Sequence, residues 1–373
     1  MNKRYLQDQI QADLKRKMCF VGGPRQVGKT TLDMLLLGNE GEERYYNWDA
    51  VEDRDKILRG EWPRTQGLLI LDEIHKYRNW RGLVKGLFDK RKDELRILVT
   101  GSARLDYYRR GGDSLQGRYF FHRLHPLSFK ELGLKSLSDI ESLMTLSGFP
   151  EPFFGGSLLE KQRWSKDYRT RVVRDDVASL EVVSDISALE LLAMRIPELV
   201  GSPISLNSLR EDLQVAHATI RRWCDILERL FFIYRLSPFG APKLRAVKKE
   251  QKAYCWDWSL PESQGARFEN LIAGHLLKWV HYIEDTQGRE IELRYFRDTD
   301  QREVDFVVVE KRHPILFVEC KLDQRERPRG LEYLKAKFPD VRAVQVGLRE
   351  DAQWKDKNSI EVMPATRFLD ELV

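Results

Sequence analysis

Cysteine is scarce in this chain, with four among 373 residues at positions 19, 224, 255 and 320 and no C-x-x-C pair. Such spacing argues against a disulfide framework and a structural zinc site, and it fits a reducing compartment. No run approaches the roughly 18 apolar residues of a membrane helix. The charged opening MNKRYLQDQIQADLKRKM also lacks the apolar core of a secretory leader. The expectation is a cytoplasmic protein with no membrane partner. Internal repeats and low-complexity tracts are absent too. Nor is there much excess charge of one sign: 63 Lys and Arg face 58 Asp and Glu, a net of +5. Any nucleic-acid surface must therefore come from local clustering.

What is present points to a soluble chain of two or three domains, at roughly 150 residues each. Apolar residues make up 42% and charged residues 32%, the latter above the usual share of about 25%. Up to about residue 190, apolar runs of strand length at 18–22, 67–71 and 96–100 alternate with helix-period stretches such as 80–92. Alternation of this kind predicts a parallel α/β sheet. From 125 to 190 the pattern becomes mostly helical, broken by GFPEPFFGG at 148–156, which reads as a loop. Residues 204–214 predict a short helix, 215–217 a turn and 218–230 a second helix whose apolar stripe is Ile220, Trp223, Ile226, Leu227 and Leu230. Strands are expected at 231–236 and 253–256 around the basic loop PKLRAVKKEQK. Beyond 261 the pattern predicts a helix at 267–280, strands at 290–297, 303–310 and 314–321, a helix at 331–338 and a strand at 341–348.

Residues 23–30 read GPRQVGKT, the G-x-x-x-x-G-K-[ST] phosphate loop, after an apolar run and before a helical one. Its glycines let backbone N–H groups converge on phosphate oxygens at a helix N-terminus. The candidate nucleotide-binding residues are Gly23, Pro24, Arg25, Gln26, Val27, Gly28, Lys29, Thr30 and Thr31. Lys29 would neutralise β/γ charge, and the Thr30 hydroxyl would hold Mg²⁺. Residues 68–73, LLILDE, place two acids at a strand's carboxyl end, the edge where an open α/β sheet binds ligands. Asp72 would order Mg²⁺ and Glu73 would polarise the attacking water. The strand RILVTGSAR ends in Thr100 and Ser102, and Ser102 is a candidate γ-phosphate sensor. Arg118 is a candidate arginine finger acting on a neighbouring subunit.

The second helix of the 204–230 pair carries Thr219, Arg221 and Arg222 toward its N-terminal half. The loop that follows adds Lys243, Arg245, Lys248, Lys249 and Lys252 against one acid, Glu250. A helix in the major groove with a basic wing on phosphates is a DNA-binding arrangement. The same module also serves for protein contacts, with the basic run merely solvated. Near the C-terminus, Glu269 lies on a helix, Asp305 in the strand EVDFVVV, and Glu319 and Lys321 in ILFVECK. Glu319 and Lys321 are two apart and share a strand face. Asp305 shares its face with Val307 and Val309, on a side that would otherwise be core, so a metal ion or charged partner is implied. Asp305 and Glu319 could hold Mg²⁺, with Lys321 orienting a water and Glu269 adding a contact. The alternative is an ion-paired α/β domain without catalysis.

The segments GPRQVGKTTL, LLILDE, TGSAR, LSFKEL and GFPEP, followed by GARFENLIAGHLL, YFRD, EVDFVV and VECK, resemble the prokaryotic AAA-type ATPases. In those proteins a P-loop domain precedes a winged helix and a C-terminal domain of originally unknown function related to PD-(D/E)xK restriction endonucleases. The resemblance covers nearly the whole chain. It implies an α/β fold in three parts: an AAA+ parallel sheet with a helical lid (1–190), a winged helix (191–260) and a nuclease-like α/β domain (261–373). It also implies ATP and Mg²⁺ as cofactors, Lys29, Thr30, Asp72 and Glu73 as an ATPase site, and Glu269, Asp305, Glu319 and Lys321 as a nuclease-type site. Homo-oligomers, often hexameric rings, are a further implication. The leading expectation is an ATPase that processes duplex or branched DNA. Its rivals are a regulatory or defence switch with DNA-independent turnover, and a motor whose nuclease-like fold only grips DNA.

Overall fold

The structure is a computed structural model that describes residues 3–102, 115–177, 183, 185–240, 251–323, 328–351 and 353–373. The chain divides into two compact units, Met1–Pro126 with Arg229–Phe231, and Leu127–Glu228 with Phe232–Val373.

In the first unit the apolar runs at 18–22, 67–72 and 95–101 become strands buried almost along their length, as central parallel strands flanked by helices must be, and two half-buried strands join them. They are β1 (Met18–Gly22), β2 (Tyr45–Asn47), β3 (Gly67–Asp72), β4 (Leu95–Gly101) and β5 (Tyr119–Arg123). All pair in parallel in the order β2-β3-β4-β1-β5. Helices α1 (Gln7–Asp13), α2 (Lys29–Leu37), α3 (Val51–Arg59) and α4 (Trp80–Arg91) complete the unit among the described residues. One cluster of its core joins Met18, Phe20, Leu69, Leu71, Ile97 and Val99 from the sheet to Trp80, Val84 and Leu87 of α4. Phe20 also stacks on Tyr119 at 4.2 Å, tying β5 to β1. Two alignments matter for the site. Asp72 pairs with Thr100, and Gly22 pairs with Gly101, so β4 stands between the phosphate-loop strand and the strand ending in acids.

The second unit begins with helices, most of which start at side-chain caps. They are α5 (Leu137–Leu146), α6 (Pro150–Gly155), α7 (Leu158–Arg171), α8 (Ile186–Arg195), α9 (Leu206–Leu213), α10 (His217–Arg229) and the long α11 (Gln264–Gln287). Ser136, Ser157, Asp185, Ser205 and Ser263 each accept a backbone N–H of the first turn, and Ser136 with Asp139 forms a reciprocal capping box. The 148–156 stretch, expected to be a loop, contains α6 instead. Its prolines sit where a helix has no use for their N–H: Pro150 opens the first turn and Pro152 follows inside it. Phe149, fully buried against Trp164 and Tyr168, anchors that start.

After α10 come the antiparallel strands β6 (Ile233–Leu236) and β7 (Lys252–Cys255). Arg235 of β6 reaches back to Asp225 and Glu228 of α10, at 2.6 and 2.5 Å, and so fixes the hairpin to the helix. The remaining elements are β8 (Ile291–Arg297), β9 (Glu303–Glu310), β10 (His313–Lys321), α12 (Arg329–Lys337), β11 (Arg342–Gly347), β12 (Trp354–Lys355), β13 (Glu361–Pro364) and α13 (Ala365–Asp370). They form a six-stranded sheet ordered β12-β13-β11-β10-β9-β8, antiparallel from β8 to β10 and parallel through β10, β11 and β13. The inner face of β9 (Val307, Val309) and Phe317 of β10 pack on Leu331 and Leu334 of α12. Gly330 permits that approach, since a Cβ there would lie 1.9 Å from the Glu303 carbonyl oxygen.

Candidate functional site

At the carboxyl edge of the first sheet, β1 runs into the phosphate loop and the loop into α2. Gly28 stands at the N-cap with φ 96°, a conformation open to glycine and strained for other residues. Lys29 is buried and its ammonium donates to the carbonyls of Gly23 and Pro24, at 3.0 and 2.8 Å, so the loop folds around its own lysine. The backbone then sets the acids beside it: the Glu73 N–H donates to the Thr100 carbonyl at 2.9 Å and the Gly23 N–H to Gly101 at 3.3 Å. Glu73 itself has φ 55°, an unfavourable conformation for a non-glycine residue of the kind concentrated at functional sites.

The side chains form one connected network. Ser102 donates to Glu73 Oε2 at 3.0 Å, and Tyr45 donates to Asp72 Oδ2 at 2.6 Å. Thr100 Oγ1 lies 2.7 Å from Asp72 Oδ1 and 3.1 Å from Asp33 Oδ2. A hydroxyl has one proton to give, and the shorter contact to Asp72 takes it. Burial and the adjacent Asp72 charge push the Asp33 carboxyl well above the usual carboxylate range, with the Thr100 hydrogen bond and Lys29 pulling the other way. Glu73 behaves oppositely. Burial would raise it, but His75, Lys29 and Lys76 and the Ser102 hydrogen bond bring it below its ordinary value. It is therefore ionised at neutral pH, the state a water-polarising carboxylate needs.

Sequence reasoning missed Asp33, Tyr45 and His75. Asp33 had a faint signal, an acid sharing the buried side of α2 with Lys29, Leu32 and Leu36. Arg118, the expected finger, pairs with Asp89 through Nε and a terminal nitrogen at 2.7 and 3.2 Å. Elsewhere in this unit Asp13, Cys19 and His122 are buried with ligand atoms within 4.8 Å. Burial and the Asp13 charge push the Cys19 thiol up, and His122 Nε2 faces Asp13 at 3.0 Å. A histidine–carboxylate contact beside a protonated thiol accounts for that cluster.

In the second unit, Arg221 and Arg222 are exposed on α10 and Thr219 is half-buried, after the turn that follows α9. Lys243, Arg245, Lys248 and Lys249 lie outside the described residues. Lys252, expected to be one of the wing's cations, is not on the surface: it is fully buried on β7. Its ammonium pairs with Glu303 and lies 3.5 Å from Glu269 Oε1 and 3.9 Å from Asp305 Oδ1. Helix α11 brings Glu269, β9 brings Glu303 and Asp305, and β10 brings Glu319 and Lys321.

The four residues singled out from the sequence for this site thus come together, joined by Glu303 and by Lys252, which the sequence had placed in the basic loop. Lys321 pairs with Glu319 Oε1 at 3.2 Å. The Asp305 N–H donates to Glu319 Oε2 at 3.3 Å, and Asp305 Oδ2 accepts the Cys320 N–H at 2.8 Å. Tyr254 donates to Glu269 Oε1 at 2.8 Å. Burial, with Glu269 and Glu319 close by, pushes Asp305 well above the carboxylate range. No helix is long and apolar enough to cross a membrane among the described residues.

Comparison with known proteins matches three stretches of the chain. Residues 15–133 match an AAA domain, residues 137–264 a domain of unknown function (DUF8612) and residues 264–368 another (DUF4143). An uncharacterised protein of Mycobacterium tuberculosis is 26% identical over 240 residues, 64% of this chain and 54% of that protein. The match therefore spans about half that relative's length. An uncharacterised protein of Haemophilus influenzae is 24% identical over 361 residues, 86% of each chain. Among solved structures, the Aeropyrum pernix ORC1 protein in complex with DNA aligns at TM-score 0.34 and 12% identity, over 73% of this chain and 93% of that one. AMPPCP-bound DnaA from Aquifex aeolicus aligns at 0.31 and 15%, over 60% and 86%. Scores this low carry no functional argument. The AAA-domain match and the parallel sheet with its phosphate loop support an AAA-type ATPase.

Proposed function

We propose that this chain hydrolyses ATP and couples turnover to DNA. The observation that carries the reading is the convergence of Lys29, Asp72, Glu73 and Ser102 on one sheet edge, with Glu73 ionised. An AAA-type edge implies Mg²⁺, and the residues fit it: Asp33 Oδ1 is buried without a hydrogen-bond partner beside the Asp72 carboxylate. Thr30 and Asp72 would hold the ion, which would offset phosphate charge. Lys29 would leave the Gly23 and Pro24 carbonyls for phosphate oxygens. Glu73 would orient the attacking water and receive its proton, held in place by Ser102. Arg118 would leave Asp89 to act across a subunit boundary in a homo-oligomer.

Support for DNA comes from the order helix, turn, helix and hairpin, with Arg221 and Arg222 exposed on the second helix. In this reading the order is a winged helix with α10 in the major groove. The C-terminal carboxylates enter as part of a DNA-gripping fold rather than a cutting site, because as arranged they do not fit a resident Mg²⁺. Steady-state ATPase at low salt, without DNA and with single-stranded, duplex and four-way-junction DNA, tests the proposal, with Lys29→Ala as blank. Stimulation by one DNA form is expected. A flat response over real basal turnover would discard DNA coupling and leave the nucleotide-gated switch. That second reading draws support from the Glu73 carboxylate, already engaged by Ser102 and 3.7 Å from Lys76.

A further inference from the structure

We propose that the Lys252 ammonium is the built-in cation of the C-terminal carboxylate centre, holding the place between Glu269, Glu303 and Asp305 that a divalent ion would otherwise take. A lysine with no exposed surface carries a large desolvation cost unless acids surround it. Here three do, delivered by a helix and a strand from a stretch of chain 17 to 53 residues further along. Most of the remaining carboxylate oxygens are already engaged. Asp305 Oδ2 accepts the Cys320 N–H, both Glu319 oxygens are used by Lys321 and the Asp305 N–H, and Glu269 Oε1 is shared by Lys252 and Tyr254. Mg²⁺ needs oxygens at about 2.0–2.1 Å in near-octahedral array. At Asp305 it would compete with the ammonium at Oδ1 and with the Cys320 N–H at Oδ2.

Lys252 is fixed where it stands by the chain rather than by its own flexibility. Leu236 pairs with it across the β6–β7 hairpin, and the preceding Gln251 carbonyl accepts the Ile204 N–H at 2.8 Å. The hairpin thus inserts a tethered positive charge among the acids of a helix and of a different sheet within the same unit. The inference does not depend on ATP hydrolysis, and its test contains no nucleotide.

The test is Mn²⁺ binding by the full chain, followed by calorimetry and thermal unfolding, in an Asp72→Asn background that silences the phosphate-loop edge. The chain with Lys252 is expected to show no saturable binding up to about 1 mM. Lys252→Met, similar in length but uncharged, is expected to melt lower in EDTA, to bind one Mn²⁺ at least about tenfold more tightly, and to regain melting temperature as it does so. Equal Mn²⁺ affinity with and without Lys252 would overturn the proposal. Should Lys252→Met fail to fold, the unaltered centre still decides. Tight uptake of one Mn²⁺ that disappears in Glu319→Gln, a variant not touching Lys252, would refute the built-in cation, and no uptake would sustain it.

Discussion

His275 of α11 offers a stability prediction whose size follows from its surroundings. The ring is buried; the Phe129 N–H donates to Nε2 at 3.0 Å, and Nδ1 lies 2.8 Å from the Leu271 carbonyl. Since Nε2 accepts, Nδ1 must carry the proton, and the ring is the neutral Nδ1–H tautomer. A second proton would set an Nε2–H against the Phe129 N–H. Burial pushes the imidazole down to about 4 from 6.5, with the Leu271 hydrogen bond pulling the other way and Lys278 and Glu131 nearby contributing in opposite directions.

Between those values the unfolded chain binds a proton that the folded chain refuses. Stability is therefore fully present above about pH 6.5 and is lost as pH falls toward 4. At 1.36 kcal/mol per unit, the loss is about 3 kcal/mol, a large share of a typical folding free energy. Urea unfolding followed by tryptophan fluorescence reports it, because Trp258 packs on His275 at 5.2 Å. His275→Gln keeps an acceptor for Phe129 but cannot titrate. The difference between the two proteins, which cancels the ordinary carboxylates, should shrink by about 3 kcal/mol from pH 7 to pH 4. Parallel curves would refute the neutral-tautomer argument.

Glu73→Gln should keep ATP affinity while lowering turnover by about 10²–10⁴-fold, measured as nucleotide binding against phosphate release. Ser102→Ala should reduce turnover by a smaller factor, about tenfold, with unchanged nucleotide affinity, since its hydroxyl donates to Glu73. Arg118→Ala should likewise cut hydrolysis far more than binding, and equal loss of both would count against action across a subunit boundary. Gly330→Ala should destabilise the second unit by about 1–3 kcal/mol, read from its unfolding midpoint, because the new Cβ would meet the Glu303 carbonyl at 1.9 Å.

Much of the fold was legible in the chain, for reasons that are local. Strands β1, β3, β4, β9 and β10 are continuous apolar runs because burial on both faces demands it. Local too is the glycine spacing around Lys29, since a turn of that shape needs Gly28 at positive φ. Helix α6 was misread because two prolines in five residues suggest a loop, and only the anchoring of Phe149 shows that both fall in a first turn. The edge and short strands β2, β5, β12 and β13 went unmarked, as their pairing rather than their composition makes them strands.

The carboxylate centre divides along the same line. The alternation of Asp305 with core valines and the shared face of Glu319 and Lys321 were written in the strands themselves. Lys252 was not: in sequence it closes a basic loop. Charge in a one-dimensional reading looks solvated by default, because solvation is where an isolated lysine is stable. Sequence alone determined the phosphate loop and the acid-tipped strands, whose geometry is set within a few residues. Only the tertiary structure could place Lys252 among Glu269, Glu303 and Asp305, because a buried charge is stabilised by neighbours that the chain brings from far away.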